Sequence, residues 1–108
     1  MFCLGLDHPV LEIDDRVHQR ARLGVLAILS EVDEADFSTL RSTLELTPGN
    51  LSQHLSILEE GKLIKIRKTF EGKRPRTWVK MTKAGRKAYG DELDKLRSLI
   101  ARYEQHAK

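Results

Sequence analysis

Hydrophobic residues recur along this chain with two different periods, and the switches between them divide it into elements. Residues 1–13 show no clear period and read as an arm. Beyond them Val17, Ala21, Gly24, Val25, Ile28, Leu29 and Val32 share one face at helical spacing. A helix capped by Asp14 or Asp15 and running to about Val32 is therefore expected. An acidic turn over residues 33–36 follows, and Phe37 is placed in a very short strand. Ser38 is expected to cap a second, short helix carrying Leu40 and Leu44.

The next start is the best defined. Thr47 is a good N-cap. Pro48 takes the first helical position, where its missing N–H costs nothing. Leu46 before the cap and Leu51 at the fourth position form a hydrophobic staple. This helix is expected over residues 48–60, burying Leu51, Leu55 and Leu58, with Gly61 as its C-cap.

The period then drops to two. Ile64, Ile66 and Phe70 alternate with Lys65, Arg67 and Thr69, which predicts a half-buried strand. After a Gly- and Pro-containing basic tip over residues 71–76, alternation resumes, with Val79 and Met81 on one face and Trp78 and Lys80 on the other. The two strands are expected to form a hairpin with a six-residue tip. Thr82 caps a last helix over residues 82–106, on which Tyr89, Leu93, Leu96, Ile100 and Tyr103 make a coiled-coil-like seam. The predicted fold class is mainly α with a small β-hairpin (α+β), in the order helix, short strand, helix, helix, strand, strand, helix. Residues 14–108 read as a single domain after the arm.

Composition adds little until charge is mapped along the chain. The whole carries a net charge of only +3. Between residues 31 and 60 the acids are Glu31, Asp33, Glu34, Asp36, Glu45, Glu59 and Glu60, against one base, Arg41. Between residues 62 and 87 eleven lysines and arginines face one acid, Glu71. Such polarity suggests a face for a polyanion. No apolar run approaches the length of a membrane span, and no signal peptide is recognisable, so no membrane partner is expected. The single cysteine, Cys3, excludes an internal disulfide and fits a reducing cytoplasm.

Catalysis finds no support. There is no phosphate-binding loop, nucleophile elbow, His-rich metal motif or dinucleotide fingerprint. Asp14-Asp15 and Glu59-Glu60 are adjacent pairs that diverge on a helix rather than converge on one site. His8, His18, His54 and His106 are scattered. No enzyme activity, no cofactor and no metal are expected.

Nucleic-acid chemistry is better represented. Two helices joined by Glu45-Leu46-Thr47 make a helix-turn-helix, in which the start of the second helix meets base edges in the major groove. Residues 48–58 contain no carboxylate. Asn50, Ser52, Gln53 and Ser56 are the expected base-reading residues, since Asn and Gln pair bidentately with adenine and Ser bonds either bases or phosphates. Thr47, His54, Lys73, Arg74, Arg76, Lys83 and Arg86 are the expected contacts to the DNA backbone or minor groove. Lys83, Arg86 and Lys87 oppose the helix dipole at the start of the last helix, a cost that a nearby anion would offset.

The residues over 40–64 resemble the helix-turn-helix of ArsR- and MarR-type bacterial and archaeal regulators, with Ser52-Gln53-His54-Leu55 similar to the S-x-H-L of the ArsR reading helix. The stretch 70–88 resembles a compact winged-helix regulator family that shares the wing pattern F-E-G-[KR]-R-P-R-T and an L-T-x-x-G-like start to its last helix, here Met81-Thr82-Lys83-Ala84-Gly85. The resemblance implies a winged helix-turn-helix and a transcriptional regulator, by analogy a repressor. It also implies a homodimer held by the first and last helices, with Tyr89, Leu93, Leu96, Ile100 and Tyr103 at the interface. The thiolate metal site of many ArsR sensors needs cysteines that residues 38–45 lack, so metal sensing does not carry over.

Double-stranded DNA is thus the expected partner. A small-molecule effector between the long helices is compatible with the pattern, though no convergent polar set marks one. The alternative is a winged helix used only for protein interaction, which would not need Lys73, Arg74 and Arg76 beside an uncharged helix face. RNA is disfavoured because no aromatic platform is evident, with Trp78 single and Phe70 reading as internal.

Overall fold

In the computed structural model, residues 19–107 are described. They form α1 (Arg20–Glu31), β1 (Ala35–Asp36), α2 (Phe37–Leu44), α3 (Pro48–Glu60), β2 (Ile64–Glu71), β3 (Arg74–Met81) and α4 (Lys83–His106). This is the expected α+β architecture in the expected order. The expected arm, Cys3, His8, Asp14, Asp15, Val17 and His18 lie outside the described residues.

Several boundaries differ from expectation, each for a local reason. Helix α1 begins at Arg20, with the Gln19 side chain accepting from the Ala21 N–H, later than a start at Asp14 or Asp15. Its buried face is Val25, Leu26 and Leu29; Val32 has left the helix in extended backbone and is 45% exposed. Asp36, rather than Ser38, caps α2: its Oδ1 accepts from the Thr39 N–H at 2.9 Å. The short strand is Ala35–Asp36, so Phe37 is the first helical residue instead of a strand residue.

The strands form one antiparallel sheet in the order β1-β3-β2. Ala35 pairs with Val79 and Asp36 with Trp78, while β2 and β3 pair without interruption from Ile64–Met81 to Glu71–Arg74. Only Gly72 and Lys73 remain in the turn, so the six-residue tip is in fact two residues on a longer hairpin. Gly72 has φ +64°, the positive value that tight hairpin turns require and that Gly adopts without steric cost.

The core lies where α1, α2 and α3 meet the inner face of the sheet. Val25, Leu26, Leu29, Leu40, Leu51, Leu58 and Val79 are fully buried, and Leu55, Leu63, Ile64 and Met81 nearly so. Each buried Leu contributes about 1.5–3 kcal/mol by leaving water. Phe70, expected on the buried face, is 74% exposed, because along β2 the core ends at Ile66. One charged residue, Glu92 on α4, is buried among the described residues.

The start of α4 is tied to this core by one residue, while Ala88 and Tyr89 pack against it farther along. Thr82 Oγ1 accepts from the Gly85 N–H at 2.9 Å and donates to the Lys62 carbonyl at 2.8 Å. The Thr82 N–H donates to the Leu63 carbonyl at 3.0 Å. Thr82 is therefore both the helix cap and the tie to the end of α3.

Candidate nucleic-acid interface

Helix α3 begins as its sequence dictates. Thr47 Oγ1 accepts from the Asn50 N–H at 3.1 Å, and Pro48 opens the helix. The helix then divides cleanly: Leu51, Leu55 and Leu58 are buried, while Asn50, Ser52, Gln53 and Ser56 are exposed. Those four polar side chains project into solvent without a carboxylate among them until Glu59 at the far end.

The preceding turn and the end of α3 share one device. Glu45 has φ 54°, with its N–H on the Ser42 carbonyl and the Leu46 N–H on the Arg41 carbonyl. Lys62 has φ 63°, with its N–H on the Glu59 carbonyl and the Leu63 N–H on the Leu58 carbonyl. Both are Schellman-type terminations that satisfy the last helical carbonyls, made with non-glycine residues at the left-handed position. Gly61, the expected C-cap, does hold that place, but in ordinary right-handed backbone.

His54 does not join the exposed face. It is half-buried, with Nδ1 3.5 Å from the Arg22 guanidinium of α1. Burial, then the charge of Arg22, holds its pKa below the ordinary histidine value. Thr47 is exposed beside the start of the helix, its oxygen already used as the cap.

The hairpin stands beside α3. Strand alternation places Lys68 on the same sheet face as Ile64 and Ile66. Lys68 and Thr77 line a shallow cleft of about 400 Å³ together with Ser52, Ser56 and Glu59 of α3. Lys68 was not singled out from the sequence; its place in the alternation, on the face of Ile64 and Ile66, was the available signal. Lys73 is exposed in the turn, and Arg74 is exposed on β3 with no ion pair among the described residues.

Arg76 is placed differently from its neighbours. Its guanidinium bonds Asp36 Oδ2 through Nε at 3.1 Å and through a terminal nitrogen at 2.9 Å, and its other terminal nitrogen meets Glu71. It also stacks on Trp78, 4.4 Å from the ring centroid. Asp36 is held below the usual carboxylate range, first by its bonds from Thr39 and then by Arg76. The hydrogen bond from Arg67 likewise lowers Glu34. Arg76 thereby engages the one acid of the hairpin and ties the hairpin to β1.

Lys83 and Arg86 gather elsewhere. With Lys65 and Lys80, directly opposed across the two strands, they line a second cleft of about 410 Å³. Lys65 and Lys80 lie on the sheet face opposite Ile64 and Ile66, so this basic group is not brought onto the exposed side of α3. On α4, Tyr89, Leu93 and Leu96 are half-buried, whereas Ile100 is 57% and Tyr103 73% exposed. No group of described residues has the composition of a metal site. No helix among them is long and apolar enough to cross a membrane.

Solved structures similar to this arrangement include transcriptional regulators. The family model described as a winged helix DNA-binding domain matches residues 21–100. An uncharacterized protein of Methanocaldococcus jannaschii is 37% identical over 68 residues, covering 63% of this chain and 74% of that protein. A transcriptional regulator homologue from Pyrococcus horikoshii OT3 superposes with a TM-score of 0.80 at 34% identity, over 86% of this chain and 94% of that one. A MarR-family transcriptional regulator from Silicibacter pomeroyi gives a TM-score of 0.61 at 26% identity, over 92% of this chain and 62% of that one. The hairpin beside α3 is thus the wing of a winged helix-turn-helix, and the chain belongs to the winged helix DNA-binding domain family, with the fold of MarR-type transcriptional regulators.

Proposed function

We propose that this protein reads specific double-stranded DNA sequences as a homodimer and represses transcription in the cytoplasm. The observation that carries the reading is an exposed polar face on α3, Asn50, Ser52, Gln53 and Ser56, free of carboxylates until Glu59 at its far end, with Lys68 of the wing across one cleft from it. Asn50, Ser52, Gln53 and Ser56 are the base-reading set. Thr47, Lys73 and Arg74 meet phosphate or the minor groove, and Lys68 joins them from the cleft wall. His54 supports the helix from its half-buried edge. Lys83 and Arg86, on the other sheet face, contribute to the positive field that steers DNA. Arg76 acts mainly by holding the wing in place and neutralising Glu71.

The exposed end of α4 supports the dimer. Its seam runs on through Ile100 and Tyr103, where the side chains stand in solvent. A second copy docked there by twofold symmetry would set two α3 helices about one DNA turn, ~34 Å, apart.

Selection of bound duplexes from a random pool tests this directly. A bipartite site with half-sites about 10 base pairs apart is expected, with affinity falling steeply as salt rises. Arg74→Ala is expected to weaken binding to all sequences and reduce the salt slope by about one, whereas Gln53→Ala changes preference at one position by about 1–3 kcal/mol. Absence of any enriched duplex, or binding insensitive to salt, overturns the reading and leaves a protein-interaction module.

A further inference from the structure

Phe70 is a large aromatic side chain left 74% exposed near the end of a cationic wing. The side chain adds nothing to the core of the domain. Its strand neighbours Ile64 and Ile66 on the same face pack inward, but Phe70 lies beyond the helices that cover them. Directly opposite on β3 is Pro75, also exposed. Strand β1 pairs only with Trp78 and Val79, so it does not reach Pro75 to cover or bond that segment. The two residues make an apolar pair in register on the face that fronts α3, with a fixed backbone on the proline side.

We propose that Phe70 and Pro75 form a wedge that enters the DNA minor groove and partly unstacks a base step, kinking the duplex. This rests on the DNA-binding reading above. Four residues at about 3.3 Å each put Phe70 roughly 13 Å along the strand from Ile66. That reach is comparable to half a DNA turn, about 17 Å, so a wing starting beside a major-groove helix arrives at the next minor groove. Charge is arranged to suit such an entry: Lys68 shares the pair's sheet face, Lys73 and Arg74 stand exposed at the hairpin end, and Glu71 is engaged by Arg76. Phe and Pro are among the side chains that wedge between base steps, bending DNA by about 20–90°. Polar side chains on the tip would suffice for phosphate contact alone. Pyrimidine–purine steps unstack most readily, so one is expected about five base pairs from the centre of the α3 contact.

The test uses the full chain and a selected duplex carrying 2-aminopurine in turn at each step beneath the wing. Binding of the wild-type protein is expected to raise fluorescence severalfold at one step and to bend the duplex in a circular-permutation gel assay. Phe70→Ala should abolish both signals and lower affinity about 10-fold, with an unchanged thermal midpoint because the side chain supports no core. Phe70→Leu should retain most of the bend. Equal fluorescence and bending by wild type and Phe70→Ala overturn the wedge. So does a change in solution mass on substitution, which would assign Phe70 to contact between copies. Failure of the wild-type chain to bind any duplex overturns the proposed function itself, a result separate from binding without unstacking.

Discussion

Gly85 sits where no side chain fits. A Cβ built there would lie 2.0 Å from the Leu63 carbonyl oxygen, a backbone atom that cannot move aside without breaking its bond from the Thr82 N–H. Gly90, five residues on, has nothing within 4 Å. The two glycines of α4 should therefore respond oppositely to alanine in urea denaturation. Gly85→Ala is expected to destabilise by about 3 kcal/mol, the upper end for overpacking, and Gly90→Ala to stabilise by up to about 1 kcal/mol. The Thr-x-x-Gly pattern at 82–85 is thereby explained as cap plus close approach. His54 gives a second residue-scale expectation. Its pKa is depressed in the folded protein, so the unfolded chain takes the proton first. Stability should be full above about pH 6.5, the unfolded value, and fall as pH drops through the folded value. His54→Asn should flatten that part of the profile measured by denaturation at a series of pH values; an unchanged profile would show that His54 does not supply it.

At the scale of elements, β1 is only Ala35–Asp36, yet it controls two others. Asp36 caps α2 through Thr39 and anchors the wing through Arg76, whose guanidinium also covers Trp78. Asp36 thus adds a polar tie between the helix-turn-helix and the wing, beside the apolar core the two share. The turn of the helix-turn-helix and the exit of α3 each place a non-glycine residue in left-handed backbone, at Glu45 and Lys62. Left-handed backbone costs an L-residue about 1–2 kcal/mol, so Lys62→Gly is expected to stabilise the fold by about 1 kcal/mol, the extra freedom of Gly in the unfolded chain offsetting part of the gain. Thermal denaturation would read it, and a lowered midpoint would show that the Lys62 side chain supplies compensating contacts.

For the whole molecule, the sheet divides the basic residues into two groups. Lys68 fronts α3, whereas Lys65, Lys80, Lys83 and Arg86 gather on the other side. In the proposed function the first serves contact and the second long-range attraction. Helix α4 spans 24 residues, about 36 Å at 1.5 Å per residue. Residues from Ile100 onward are exposed along it, so the seam continues after the core has ended. Replacing both Ile100 and Tyr103 with Glu is expected to convert the proposed dimer into a folded monomer in analytical ultracentrifugation at micromolar concentration. An unchanged mass for the double variant would place the dimer contact elsewhere.

Much of this was legible in the residues themselves. Helix starts such as Thr47-Pro48 and Thr82 depend on local hydrogen bonds and backbone angles, which neighbouring residues determine. The polar face of α3 and the alternation of β2 and β3 follow from fixed periods. What tertiary structure decided were matters of reach and partnership. Asp36 displaced Ser38 as a cap because pairing with Trp78 brought it to the helix start. Arg76 reached across forty positions to Asp36, a contact no local pattern encodes. Phe70 kept the apolar alternation of a buried strand, yet stands in solvent because burial depends on what lies over a residue. The order of polar and apolar positions determined which elements form; only their assembly decided where the core stops and which side chains are left for DNA.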